Sequence, residues 1–178
     1  MKKIVFFILS LFLVTGCIPQ PKALIERDTV ELNTTVFNRS FKEKLPVVKK
    51  MPFGDIAILG AIVASDTKGD RLSVKANITF KNFQIPEGLG GVVEFDAGLR
   101  YDPYAKNLYL DDVKPVAVNF GNSTLVKYIP NTTRRSIASI VGGELTLIPL
   151  AQVTTVKGAL TVEKIEVDNG SVEIDFGK

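Results

Sequence analysis

The sequence has no histidine, no tryptophan and a single cysteine, Cys17. Without imidazole there is no Ser-His-Asp or Cys-His catalysis, and the transition-metal sites built on histidine go with it. A lone cysteine excludes an internal disulfide. An excess of one charge is also missing: 22 lysines and arginines stand against 19 aspartates and glutamates, with no long basic run. A nucleic-acid partner calls for a basic stripe that neutralises phosphates, so none is expected. The catalysts that remain are carboxylate pairs, Ser-Lys pairs and lone lysines. The expectation is a non-enzymatic protein without cofactor or metal.

Only the N-terminus carries a long unbroken hydrophobic run. Met1-Lys2-Lys3 is a short positive segment, and residues 4–14 are apolar apart from Ser10. Eleven residues fall short of the roughly 20 that a helix needs to cross a bilayer core. The run therefore reads as the apolar part of a signal peptide. Val14-Thr15-Gly16-Cys17 follows, with small residues just before the cysteine, as a narrow peptidase groove requires. This resembles the lipobox of bacterial lipoproteins, which implies a signal peptide over residues 1–16, cleavage before Cys17 and a membrane anchor through lipid on its thiol. Ile18 follows, not the aspartate that resembles an inner-membrane retention signal. A lipid anchor in the outer membrane, facing the periplasm, is expected.

Loss of residues 1–16 removes Lys2 and Lys3 and leaves 20 basic against 19 acidic residues. The remainder, about 162 residues, suffices for one domain burying roughly 70% of its unfolded surface. Residues 17–27 read as the lipidated cysteine and a tether, since residues 18–27 hold two prolines and little pattern. Ten extended residues reach about 33 Å. Residues 28–178 read as a single α+β domain.

Asp28-Thr29-Val30-Glu31 has the look of a helix start, and Leu32, Val36, Phe37, Phe41 and Leu45 recur at helical spacing before Pro46 stops the run. The period then changes to two. Residues 56–64 are apolar at both parities, which predicts a strand covered on both faces. Leu72, Val74, Ala76, Ile78 and Phe80 alternate with polar residues, as do Val93, Phe95, Ala97, Leu99 and Tyr101. A Pro/Gly loop is predicted over residues 84–91. Leu108 and Leu110 begin a fourth strand, which Val116, Val118 and Phe120 continue past an irregularity at Asp111-Asp112. From Asn122 the spacing is helical again, with Pro130 as a kink or split and Gly142-Gly143 as the end. Residues 145–153 are apolar and extended, bent at Pro149. Asp168-Asn169-Gly170-Ser171 is a hairpin turn between two alternating runs. The sum is a curved antiparallel sheet, a meander of four strands plus a C-terminal strand, packed on two helices.

This order resembles the YceB-like bacterial lipoproteins, a family of unknown function. The residues that carry the likeness are Val30-Glu31-Leu32-Asn33, the strands at 72–80 and 93–101, Tyr109-Leu110-Asp111-Asp112-Val113 and residues 165–174. That family resembles the tubular lipid-binding superfamily, so the likeness implies a TULIP-like half-barrel with an apolar channel between helix and sheet. Pro130 and Gly142-Gly143 depart from the long unbroken helix of such folds. The residues placed to line a cavity for a lipid or other apolar ligand are Val36, Phe37, Phe41, Val74, Ile78, Phe80, Phe95, Leu99, Leu110, Ile137 and Ile140. The same periodicity describes a packed core, and both remain open at this point. An envelope adaptor, docking another periplasmic protein or the cell wall through the strand at 56–64, is the other reading.

Other motifs read as scaffold. Ser65-Asp66-Thr67-Lys68 has the Ser-x-x-Lys spacing of penicillin-interacting enzymes but sits in a turn rather than opening a helix. Gly88-Leu89-Gly90-Gly91 precedes no helix that would complete a phosphate cradle. Asp111-Asp112 and the pair Asp66 and Asp70 lack the alternating oxygens of a calcium loop. Glu94 and Asp96 share a strand face with Arg100 and Lys75 nearby, which predicts exposed ion pairs. Lys42, Lys44, Lys49 and Lys50 read as a solvated helix end.

Overall fold

A computed structural model of the chain describes residues 28–64, 71–153, 161–168 and 170–177. Cys17, the signal segment and tether, the Ser65–Lys68 motif, Asp66, Asp70 and Asn169 lie outside the described residues.

The elements run β1 (Asp28–Asn33), α1 (Thr34–Lys44), β2 (Val47–Met51), β3 (Gly54–Val63), β4 (Leu72–Asn82), β5 (Ile85–Asp102) and β6 (Asn107–Asn119). A 3-10 turn (Thr124–Tyr128), α2 (Asn131–Leu145), β7 (Ala151–Gln152), β8 (Thr161–Asp168) and β9 (Ser171–Gly177) complete the chain. Strands β2 to β7 form one antiparallel sheet in chain order, and β1, β9 and β8 form a second of three strands. The class is α+β, and the sheet does not close into a barrel. The meander is longer than the four strands expected, and the C-terminal strand belongs to the smaller sheet.

The clearest alternation in the sequence becomes the floor of the core. Leu72, Val74, Ala76, Ile78 and Phe80 of β4 are almost fully buried, as are Val93, Phe95 and Ala97 of β5. Phe37 and Phe41 of α1, Ile137, Ala138 and Val141 of α2 and Val172, Ile174 and Phe176 of β9 join them in one contiguous cluster. Each valine, leucine, isoleucine or phenylalanine among them contributes roughly 1.5–3 kcal/mol on leaving water.

Several segments depart from the sequence reading. Residues 28–33 are a strand, not the first turn of a helix: β1 pairs with β9, from Asp28 opposite Phe176 to Asn33 opposite Ser171. Asn33 is the true helix cap, its Oδ1 accepting the Thr35 N–H at 2.9 Å. The strand β3 is not covered on both faces. Leu59 has no residue opposite it in β4, since Ile58 pairs with Ile78 and Gly60 with Asn77. That bulge reverses the parity, so Ile56, Ile58, Ala61 and Val63 all point inward while Leu59 and Ile62 stay exposed. The Pro/Gly segment is strand rather than loop, as β5 already begins at Ile85. Gly91 permits this because the Phe120 ring lies over its backbone: a Cβ there would come within 2.6 Å of the ring. Gly142-Gly143 does not end α2, which runs through to Leu145. Pro130 does split the second helical run, with the 3-10 turn before it and α2 after it.

Candidate functional site

The sequence placed a ligand between helix and sheet, and most of the residues named for it are brought together. Phe37, Phe41, Val74, Ile78, Phe80, Phe95, Leu110 and Ile137 are all within 1% of complete burial and pack on one another in the core cluster. Leu99 and Ile140 are half-buried at its margin, and Val36 is turned outward on α1. These side chains fill the helix–sheet interface with one another.

A surface groove of about 360 Å³ lies at the other helix–sheet junction, between the second half of β6 and the start of α2. Pro115, Val116, Ala117, Val118 and Ala138 give it an apolar lining, with Asn131, Arg134 and Arg135 at the polar side. The local sequence explains its shape. In β6, Ala117 pairs with Glu94 and Pro115 with Phe95, which leaves Val116 as a bulged residue without a partner. The bulge turns Val116 out, 66% exposed, although alternation from Leu108 and Leu110 assigns it to the core. β7 pairs only with Asn107 and Leu108, so the rest of β6 forms an outer edge with no strand beside it among the described residues. Pro115 within a strand was the available sign of that edge, since proline donates nothing to a ladder.

Two basic groups shape the groove differently. Arg134 is spent on structure: its Nε donates to the Ile129 carbonyl at 3.0 Å and its terminal nitrogen to the Val126 carbonyl at 3.2 Å. It thereby holds the 3-10 turn against the first turn of α2. Arg135 is exposed and has no ion-pair partner among the described residues.

Upstream, the Asp111-Asp112 irregularity is a second distortion of β6, with Asp112 at φ 43°. Arg71 pins it. Its guanidinium donates to the Asp112 carboxylate at 3.1 Å, to the Asp112 carbonyl at 2.6 Å and to the Asp96 carbonyl at 3.0 Å. Its Nε lies 3.1 Å from the Asp96 carboxylate, an ionic contact out of line for a hydrogen bond. Lys114 adds a contact to Asp112 at 2.8 Å. The hydrogen bond from Lys114 holds the Asp112 carboxyl below its usual value, helped by the charges of Lys114 and Arg71 against an opposing desolvation effect. The expected ion pair of Glu94 with Lys75 forms at 3.3 Å. Arg100, by contrast, stacks 5.2 Å over the Tyr109 ring, and Lys49 pairs with Glu144 of α2 at 2.9 Å rather than standing free. Gly88, Gly90 and Gly91 lie within a strand, so they form no phosphate loop. Among the described residues no group of three or more His, Cys, Asp or Glu is gathered to hold a metal ion.

Residues 1–17 match the model of a prokaryotic membrane lipoprotein lipid attachment site. No curated protein matches the chain. Among the described residues no helix is long and apolar enough to cross a membrane. The chain is a bacterial lipoprotein with a signal peptide, anchored to a membrane through lipid on Cys17.

Proposed function

We propose that the anchored domain is a non-enzymatic carrier or sensor that holds an acyl chain or similar apolar ligand in the groove between β6 and α2, on the periplasmic side of the outer membrane. The observation that carries this reading is the groove itself. Its volume of about 360 Å³ falls in the 300–1,000 Å³ typical of small-ligand sites, which are mostly apolar with a few polar groups. Val116 and Val118 offer apolar surface, and Arg135, exposed and without an ion-pair partner among the described residues, offers a cation for an anionic head group. The closed packing of Phe37, Phe41, Phe80 and Phe95 moves the ligand from the interior to this junction.

A fatty acid with a photoreactive group in its chain, added to the purified lipoprotein, tests the reading. Labelled peptides should cover residues 115–118 and 131–138, and Val116→Asp should remove the label. Label confined to other segments, or none, would overturn it. Membrane fractionation by density tests the placement, with the protein expected in the outer-membrane band.

One observation favours the adaptor reading. The outer edge of β6 beyond Leu110 is unpaired among the described residues, so a partner strand could add there. The strand at 56–64 does not offer that edge along its first half, because β2 pairs with β3 from Ile58 to Gly54. Capture of one defined envelope protein, lost with Val116→Pro and unaffected by fatty acid, would favour this alternative.

A further inference from the structure

The two ends of β5 carry the two most exposed aromatic side chains among the described residues. Phe83, 89% exposed, tips the β4–β5 hairpin, and Tyr104, 98% exposed, tips the β5–β6 hairpin. Only one of these tips lies at the end where the anchored chain meets the domain. Asp28, the first described residue, stands opposite Phe176 in the small sheet, and the Phe176 ring packs edge-on against Tyr101 at 5.4 Å. Tyr101 is three residues from Tyr104. The tether over residues 17–27 spans at most about 40 Å. A domain resting on Tyr104 needs only a fraction of that length. Resting on Phe83 would add the run from Ile85 to Tyr101, up to about 50 Å at strand rise, to what the tether must span.

We propose that the Pro103-Tyr104-Ala105-Lys106 tip is a second, non-covalent membrane contact, which inserts Tyr104 into the headgroup layer and fixes which end of the domain faces the bilayer. The chemistry suits that layer. A tyrosine ring is amphipathic and settles at the water–lipid boundary, while a lysine nearby faces anionic headgroups. The tip is also shaped in advance. Asp102 Oδ1 accepts the N–H groups of Tyr104 and Ala105 at 2.9 and 3.1 Å. The Lys106 carbonyl accepts the Val153 N–H at 2.8 Å. Little ordering therefore remains to be done on contact. The proposal rests on the lipid anchor and is independent of the groove's ligand.

The chain has no tryptophan, so Tyr104→Trp and Phe83→Trp each give a single-tryptophan reporter at an exposed tip. The full lipoprotein is placed in vesicles of phosphatidylethanolamine and phosphatidylglycerol, with and without lipids brominated on their acyl chains. Y104W emission should shift to the blue and be quenched by the brominated lipid, with F83W emission unshifted and unquenched. Y104W emission unquenched, or F83W quenched as strongly, overturns the proposal. Nitration of the unsubstituted lipoprotein is the second measurement. Tyr104 is far more exposed than Tyr128, which is 38% exposed, so solvent alone would nitrate Tyr104 first. On vesicles Tyr104 should become the slower of the two; if it stays the faster, the tip does not touch the membrane.

Discussion

Asn38 and Val63 are joined by two hydrogen bonds that put a side-chain amide where a neighbouring strand would be. The Val63 N–H donates to Asn38 Oδ1 at 2.6 Å, and Asn38 Nδ2 donates to the Val63 carbonyl at 3.4 Å. β2 pairs with β3 only as far as Val47 opposite Ile58, so the far end of β3 has no strand on that side among the described residues. Asn38 lies one residue beyond the buried Phe37 on α1. Packing of the phenyl ring thus delivers the amide to the edge.

Asn38→Ala should therefore cost more than a surface substitution. It leaves a half-buried backbone donor and acceptor unpaired, a loss of about 1–3 kcal/mol. Urea unfolding should show a lower midpoint with an unchanged slope. Asn38→Asp keeps the acceptor for Val63 N–H and should recover part of the loss. If Asn38→Ala unfolds at the parental midpoint, the amide is not closing the edge.

The adjacent glycines of α2 predict opposite outcomes. A Cβ at Gly142 would lie 3.2 Å from Phe95 Cε1 and 3.3 Å from Val113 Cγ1, while one at Gly143 meets nothing within 4 Å. Gly143→Ala should stabilise by about 0.5–1 kcal/mol, the usual gain from removing a helical glycine. Gly142→Val forces three extra carbons against the β5 and β6 side chains and should destabilise by about 1–3 kcal/mol. Thermal unfolding of the two variants should move in opposite directions.

The same residues show what local sequence can and cannot reveal. The inward set from Leu72 to Phe80 was legible because β4 lies inside the sheet, and its alternation suffers no bulge along those residues. Asp28-Thr29-Val30-Glu31 was misread because its partner, β9, lies over 140 residues away in the chain, and a short capped run looks the same for either element. Leu59 was expected to be covered on the second face of its strand and Val116 to continue the inward series from Leu110, but a bulge lies at each and both are exposed. Gly142-Gly143 was read as a helix end, when one glycine is there to admit Phe95. The groove escaped notice for the same reason as Val116: it exists because alternation fails. The lipidation signal at residues 1–17 was legible because it is local in sequence and owes nothing to the fold.

The Arg71–Asp112–Lys114 contacts predict a pH dependence. The Asp112 carboxyl is held below its ordinary value of 3.8. A carboxyl lowered on folding adds stability above the unfolded value, and that stability is lost as pH falls through about 4 and below. Asp112→Asn removes this contribution and still tolerates the positive φ at that position. The melting-temperature gap between the parent and Asp112→Asn should be widest near pH 6 and should close as pH falls below 4. A gap that stays constant over that range would mean the carboxylate's charge is not involved.

Lipid transfer needs a thiolate-type nucleophile, and a serine hydroxyl is far weaker in that role. Cys17→Ser should therefore carry no lipid. A single acyl chain holds a protein only reversibly, because each buried methylene contributes about 0.8 kcal/mol, so stable anchoring takes two attachments or more. The parent should partition into detergent and float with membranes. The Cys17→Ser protein should either keep its uncleaved signal or appear in the soluble fraction. Folding should be unaffected: the core cluster lies within residues 30–176, and no helix among the described residues could cross a bilayer in place of the anchor. The urea midpoint of a soluble Cys17→Ser protein should match that of the detergent-solubilised parent. If the variant loses its signal and still floats with membranes, the tip at Tyr104 or another contact is strong enough to anchor the domain alone, and lipid on Cys17 is not what holds it there.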